Sequence, residues 1–333
     1  MRSAFLLGVV LASCSTVPSR GPCSAGGASA ANEAPTALAT SDPHSAADAA
    51  LWRAIQANGY ALPSDVALES ALARLRRDLG ALDPVLRDEL PYDVARHWLF
   101  PKRLVDDGAL RAHADALVLQ LAVAGLRAGA ATQLGSASPD DERVLARSFA
   151  ALHLSLLAAS DLKEPLFDDA GWRRVFDGAL DYLAAERDVR GWVEGSGWHH
   201  SVAHTADLLK FLARSPRLAP ADQARLVLAI EAKLAALPHV LVWGEDERLA
   251  AVFVSLARRV DFDAAGFEAW LARERERRAA VWSTEPFSSA RFVAARNASD
   301  VLVALLLALD AAAESEPALV RARDAVRASL RDG

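Results

Sequence analysis

Cysteine is almost absent: the 333 residues contain only Cys14 and Cys23, both ahead of any helical pattern. No disulfide can therefore staple the body of the chain, and folding must rest on an apolar core. The 52% hydrophobic content is enough for one, with 24% charged residues keeping the surface soluble. Clustered positive charge is missing too. The 37 basic residues are scattered among 43 acidic ones, for a net charge of −6, which argues against nucleic acid as the main partner. Alternation of apolar and polar residues over a strand's length is hard to find, so a sheet fold has no support. No run of about 20 apolar residues occurs; VLVALLLAL, residues 301–309, is the longest in the body and reads as a buried helix rather than a membrane span. Glycine-rich phosphate loops are absent, and the Gly195-Ser196-Gly197 triplet is flanked by Glu194 and Trp198 where a nucleophile elbow needs glycines.

What is present begins with MRSAFLLGVVLASC. Arg2 precedes an apolar run from Ala4 to Ala12 that is too short to span a bilayer, the layout of an export signal. Leu11-Ala12-Ser13-Cys14 resembles the lipobox of bacterial lipoproteins, in which the cysteine is lipidated and becomes the mature N-terminus. The resemblance implies a signal peptide over residues 1–13, a lipid anchor on Cys14, membrane attachment, and residence in the bacterial cell envelope. Ser, Ala, Gly, Pro and Thr dominate residues 14–45, the composition of a flexible tether.

From residue 46 to 333 apolar residues recur at helical spacing, and the chain reads as one all-α domain of antiparallel helix pairs stacked in a solenoid-like or α/α arrangement. Ser64-Asp65, Asp83-Pro84 and Ser138-Pro139 mark helix starts before 66–79, 85–99 and 140–160, and Gly80 and Gly129 mark stops. Further helices are expected near 110–127, 169–186, 198–214, 220–237, 245–260, 264–282, 289–312 and 316–331. No fixed repeat period is visible.

One stretch stands apart. RGWVEGSGWHHSVAHTADLL, residues 190–209, packs histidines, tryptophans and carboxylates around three glycines that break the helical pattern into a loop. A helix resuming at Trp198 would place His200, His204 and Asp207 on one face. Two histidines four apart can grip a divalent ion such as zinc, with Asp207 as a third ligand or as the acceptor that orients an imidazole. Ser201 stands where a helical metalloprotease motif has its glutamate, so that motif fails. The same three residues are equally the makings of a buried polar network, or of acid–base or ligand chemistry without a metal. A second stretch, VWGEDERLA from Val242, opens a helix with Glu245, Asp246 and Glu247, where negative charge suits the helix dipole.

RGWVEGSGWHHSVAHTADLL together with VWGEDERLA resembles an uncharacterised bacterial family, the domain of unknown function numbered 2785. DPVLRDELPYDVARHWL (83–99), RSFAALHLSLL (147–157) and DYLAAERDVRGWVEG (181–195) add to the likeness, which covers most of residues 50–260. The family's pattern falls on Gly197-Trp198, His200, His204 and Asp207, and on Arg190, Gly191, Glu194 and Glu245 to Arg248. His199 departs from it. The resemblance implies an all-helical fold and brings no reaction with it.

The expected site is an inter-helix pocket from residues 190–208 and 243–248, lined by Arg190, Trp192, Trp198, Trp243, Asp246, Glu247 and Arg248. Its expected role is recognition of a small-molecule or peptide-like ligand. The alternative is a metal-dependent hydrolase, with His200, His204 and Asp207 on the ion and Glu194 or Glu245 as general base. A glycan-active site with paired carboxylates and tryptophan platforms is a third possibility.

Overall fold

The computed structural model describes residues 43–100, 103–122 and 143–331, all within the unit Asp42–Gly333. The expected leader, Cys14 and most of the expected tether lie outside these residues, as do Ser138-Pro139 and Gly129. Twelve α-helices make up most of the described chain, as expected of an all-α protein: α1 Pro43–Ala57, α2 Leu68–Asp78, α3 Leu90–Leu99, α4 Asp107–Leu121, α5 Arg143–Asp161, α6 Asp169–Ala185, α7 Ser201–Arg214, α8 Pro220–Ala236, α9 Glu245–Ala257, α10 Ala264–Ser283, α11 Ser289–Ala313 and α12 Val320–Arg331. The strands among these residues are the two-residue pieces β1 Trp192–Val193 and β2 Gly197–Trp198.

The helices form two layers. α5, α7, α9 and α11 pack in series as one, and α4, α6, α8, α10 and α12 as the other. Successive helices from α4 onward alternate between the two layers, the geometry of stacked antiparallel pairs. α5 is buried over nearly its whole length, Val144, Phe149, Leu154 and Leu157 included, because α3, α4 and α7 all pack against it. Trp52, Trp98, Phe149, Phe176, Phe253 and Trp270 anchor the core at almost no exposure.

Side-chain caps hold several helix starts. Asp106, Asp168, Asp263 and Ser288 each accept the backbone N–H three residues on, an arrangement that contributes about 1 kcal/mol per cap. Ser64-Asp65 do not cap α2. They sit in a turn closed by Val66 N–H to Pro63 O, and the helix starts at Leu68 with Ala67 as its uncapped N-cap. After Asp83-Pro84 comes a five-residue π-helix, Val85–Glu89, before α3. Pro91 explains it: with no N–H to donate to Arg87, the chain widens by one residue, and Leu90 N–H bonds Val85 O instead.

The run 301–309 is only half as expected. α11 is 25 residues long and by length and composition could cross a membrane, but it packs against α8, α9, α10 and α12. Val301, Leu302, Leu305 and Leu309 are buried, whereas Val303 and Leu307 face outward, so one side of the helix is core and the other is surface.

Candidate functional site

The loop between α6 and α7 is held from below by a buried polar frame. Glu186 accepts the Arg147 Nε at 2.6 Å and the backbone N–H groups of Arg187 and Asp188, while Lys233 donates to its carbonyl. Buried Asp188 takes Arg190 through the backbone and guanidinium, and its carbonyl accepts Ser201 Oγ. Above this frame β1 pairs antiparallel with β2, Trp192 opposite Trp198 and Val193 opposite Gly197. Gly195 and Gly197 supply the positive φ (+78° and +79°) that closes so short a hairpin.

Arg87, in the π-helix, is wholly buried and donates to Ala81 O and Ser196 O, tying the hairpin tip to the N-terminal part of the domain across more than a hundred residues. The arginine of VLRDEL is not among the expected site residues; its one sequence signal is a charge on an otherwise apolar helix face. His199, outside the expected site as well, is part of the same support. It is buried, its backbone N–H donates to Gly191 O, and its ring Nε2 meets Ser196 Oγ at 3.1 Å.

The two segments of the expected site do come together. Trp243 lies directly on Gly191, where a Cβ would fall 2.0 Å from the indole Cδ1. Asn297 of α11 fixes the approach of that segment, accepting Leu241 N–H and donating to His239 O. Asp207 accepts Lys210 at 2.8 Å and Arg248 through its other oxygen, which links α7 to α9.

His200 and His204 do not share a helix face. His200 precedes α7 as its N-cap with φ +45°, and its ring stacks on Trp198 at 4.1 Å. His204 points into the core, its ring edge-on to Phe149 and its Nδ1 2.8 Å from Ser148 Oγ. Ser148 has one hydrogen and gives it to His199 O, so His204 must be the donor in that contact and carries its proton on Nδ1. Burial pushes His204 well below the usual histidine range, with His200 and Arg248 adding to the effect. Burial takes His200 down to about 4, Arg248 assisting, against weaker opposing influence from the Trp243 backbone and Asp207. Both imidazoles are neutral at pH 7.

The expected ligand set of His200, His204 and Asp207 is therefore not gathered on one centre. The rings are 5.6 Å apart and nearly perpendicular, and Asp207 is engaged by two cations. Among the described residues no group of three or more His, Cys, Asp or Glu could hold a metal ion. The two carboxylates expected as bases differ as sharply. Glu194 sits exposed at the hairpin tip, 3.4 Å from Trp192 Nε1. Glu245 is buried and accepts Trp243 N–H, and that burial raises its pKa. It holds the loop in place.

Instead of a deep pocket, these segments present an aromatic surface. Trp192 and Trp243 are 42% and 45% exposed, and each stands edge-to-face with Trp198, at 5.0 and 5.9 Å and at 76° and 81°. The clearest cavities among the described residues lie elsewhere, one of about 130 Å³ between α8 and α10 and another between α10 and α12.

Residues 132–307, just over half of the chain, match the family described as Protein of unknown function (DUF2785). The chain belongs to that family. The matched region lies further along the chain than the resemblance over 50–260 implied: it excludes DPVLRDELPYDVARHWL and takes in α10 and most of α11. All of the hairpin, α7 and the start of α9 fall inside it. Neither a curated protein nor a solved structure matches the chain.

Proposed function

We propose that this member of the family is an exported lipoprotein, anchored to a bacterial envelope membrane through Cys14, whose helical domain is a ligand-recognition module. The observation that carries the reading is the pair of large indoles, Trp192 and Trp243, left more than two-fifths exposed on a frame of buried ion pairs and backbone hydrogen bonds. Exposed tryptophan on a rigid support provides contact area at low entropic cost, which is the usual chemistry of recognition surfaces. The Gly191 contact and the Asn297 clamp keep Trp243 in one place before any ligand arrives.

The test pairs the native protein with a Trp192→Ala, Trp243→Ala double variant in a binding screen of soluble envelope fragments: oligosaccharides, short peptides and amines. Ligands of the native protein should be lost by the double variant, whose melting temperature falls only by the few degrees that loss of the Trp243–Gly191 contact costs. Ligands that bind both proteins equally refute the assignment of the surface. For the anchor, Cys14→Ser should release the protein from the membrane fraction, and persistence there refutes lipidation at Cys14.

A further inference from the structure

Building on the recognition reading and dependent on it, we infer that Trp192 and Trp243, with Glu194, Asp246 and Glu247 beside them, receive an organic cation bearing ammonium or guanidinium groups. Charge balance points to such a ligand first. The cations around the indoles already have carboxylates: Arg190 is bound to Asp188, and Lys210 and Arg248 to Asp207. Glu194, Asp246 and Glu247 make no ion pair among the described residues, and the first and last are exposed. Three acceptor-only groups next to two open indoles match a cationic partner.

Geometry agrees. Both exposed rings stand steeply to Trp198, and their centroids are no more than about 11 Å apart, within the reach of one extended amine. Indole is the strongest of the side-chain π-faces for a cation. A neutral glycan would stack on the same indoles but leave the carboxylates unanswered.

Spermidine is a suitable probe, titrated into the full-length protein and followed by tryptophan fluorescence and calorimetry, with a neutral oligosaccharide as the contrasting ligand. Saturable quenching by spermidine that weakens with salt is expected. Trp243→Ala should weaken it about tenfold, the equivalent of one good cation–π contact. The triple variant Glu194→Gln, Asp246→Asn, Glu247→Gln should weaken it at least as much, with the melting temperature falling only by the few degrees that loss of two first-turn charges of α9 costs. Absence of saturable spermidine binding overturns the inference, as does binding indifferent to either set of substitutions. If the oligosaccharide binds in a Trp243-dependent way and spermidine does not, the cation inference falls while the recognition surface stands.

Discussion

Acid should unfold this domain, and the buried histidines set the scale. Burial holds His153 at about 3 and His199 and His200 at about 4, and drives His113 and His204 well below 6.5. A histidine whose folded pKa lies below its unfolded value stays neutral in the native state while the unfolded chain takes up a proton. The unfolded state thus binds more protons as pH falls from about 6.5 towards 4, and stability declines across that window. Near pH 5 each such group costs about 2 kcal/mol relative to pH 7.5, at about 1.4 kcal/mol per pH unit. His153, His199 and His200 together reach roughly 6 kcal/mol, a large part of the whole stability of an ordinary domain.

Part of this is offset. Burial raises Asp88 to about 6, outweighing the pull of Arg87, and raises Asp78, Glu245 and Glu274. Carboxyls of this kind take up protons more readily when folded, and Asp88 alone returns about 1 kcal/mol near pH 5. The expected net loss is on the order of 5 kcal/mol. Urea denaturation at a series of pH values reads it directly, as a midpoint that falls steeply between pH 7 and 5. His153 isolates one proton of the effect: it is fully buried and neither ring nitrogen has a partner, so His153→Leu should leave stability at pH 7 close to native. The variant should also flatten the pH dependence by about 2 kcal/mol between pH 7 and 5. A native profile that is level over that range, or a variant profile as steep as the native one, refutes the reasoning.

Two substitutions test the geometry of the loop. Gly191→Ala places a methyl against the Trp243 ring, so Trp243 must leave its seat; a loss of about 1–3 kcal/mol and a changed tryptophan emission are expected, and an unchanged spectrum would refute the contact. Arg87→Met removes the donor to Ala81 O and Ser196 O and leaves Asp88 without its cation, so about 3 kcal/mol should be lost in thermal or urea unfolding, and a fall under half of that would refute the tie.

Helical periodicity and turn residues carried the all-α architecture. The ranges 169–186, 220–237, 264–282 and 289–312 lie within a residue of α6, α8, α10 and α11 because each amphipathic pattern is read from neighbours three and four apart. Boundaries slipped where a non-local or covalent detail intervened, as at Pro91 and at the turn holding Ser64-Asp65. The loop at 190–200 was legible from its glycines, and its partnership with the mid-240s from the family resemblance.

What each site residue does was decided only by the tertiary structure. Nothing local in HHSVAH says that His200 adopts a left-handed backbone and turns to Trp198, or that His204 turns to Ser148, 56 residues earlier. Asp207 meets Arg248 from 41 residues away, and Arg87 reaches Ser196 over 109. A hydrogen bond forms between whichever donor and acceptor the packed layers bring within about 3 Å, and sequence spacing carries no information about that distance once the chain has doubled back. The sequence by itself settled that helices form and where its chemistry is concentrated. Packing settled which groups are spent on holding the loop and that the indoles of Trp192 and Trp243 stay exposed beside it.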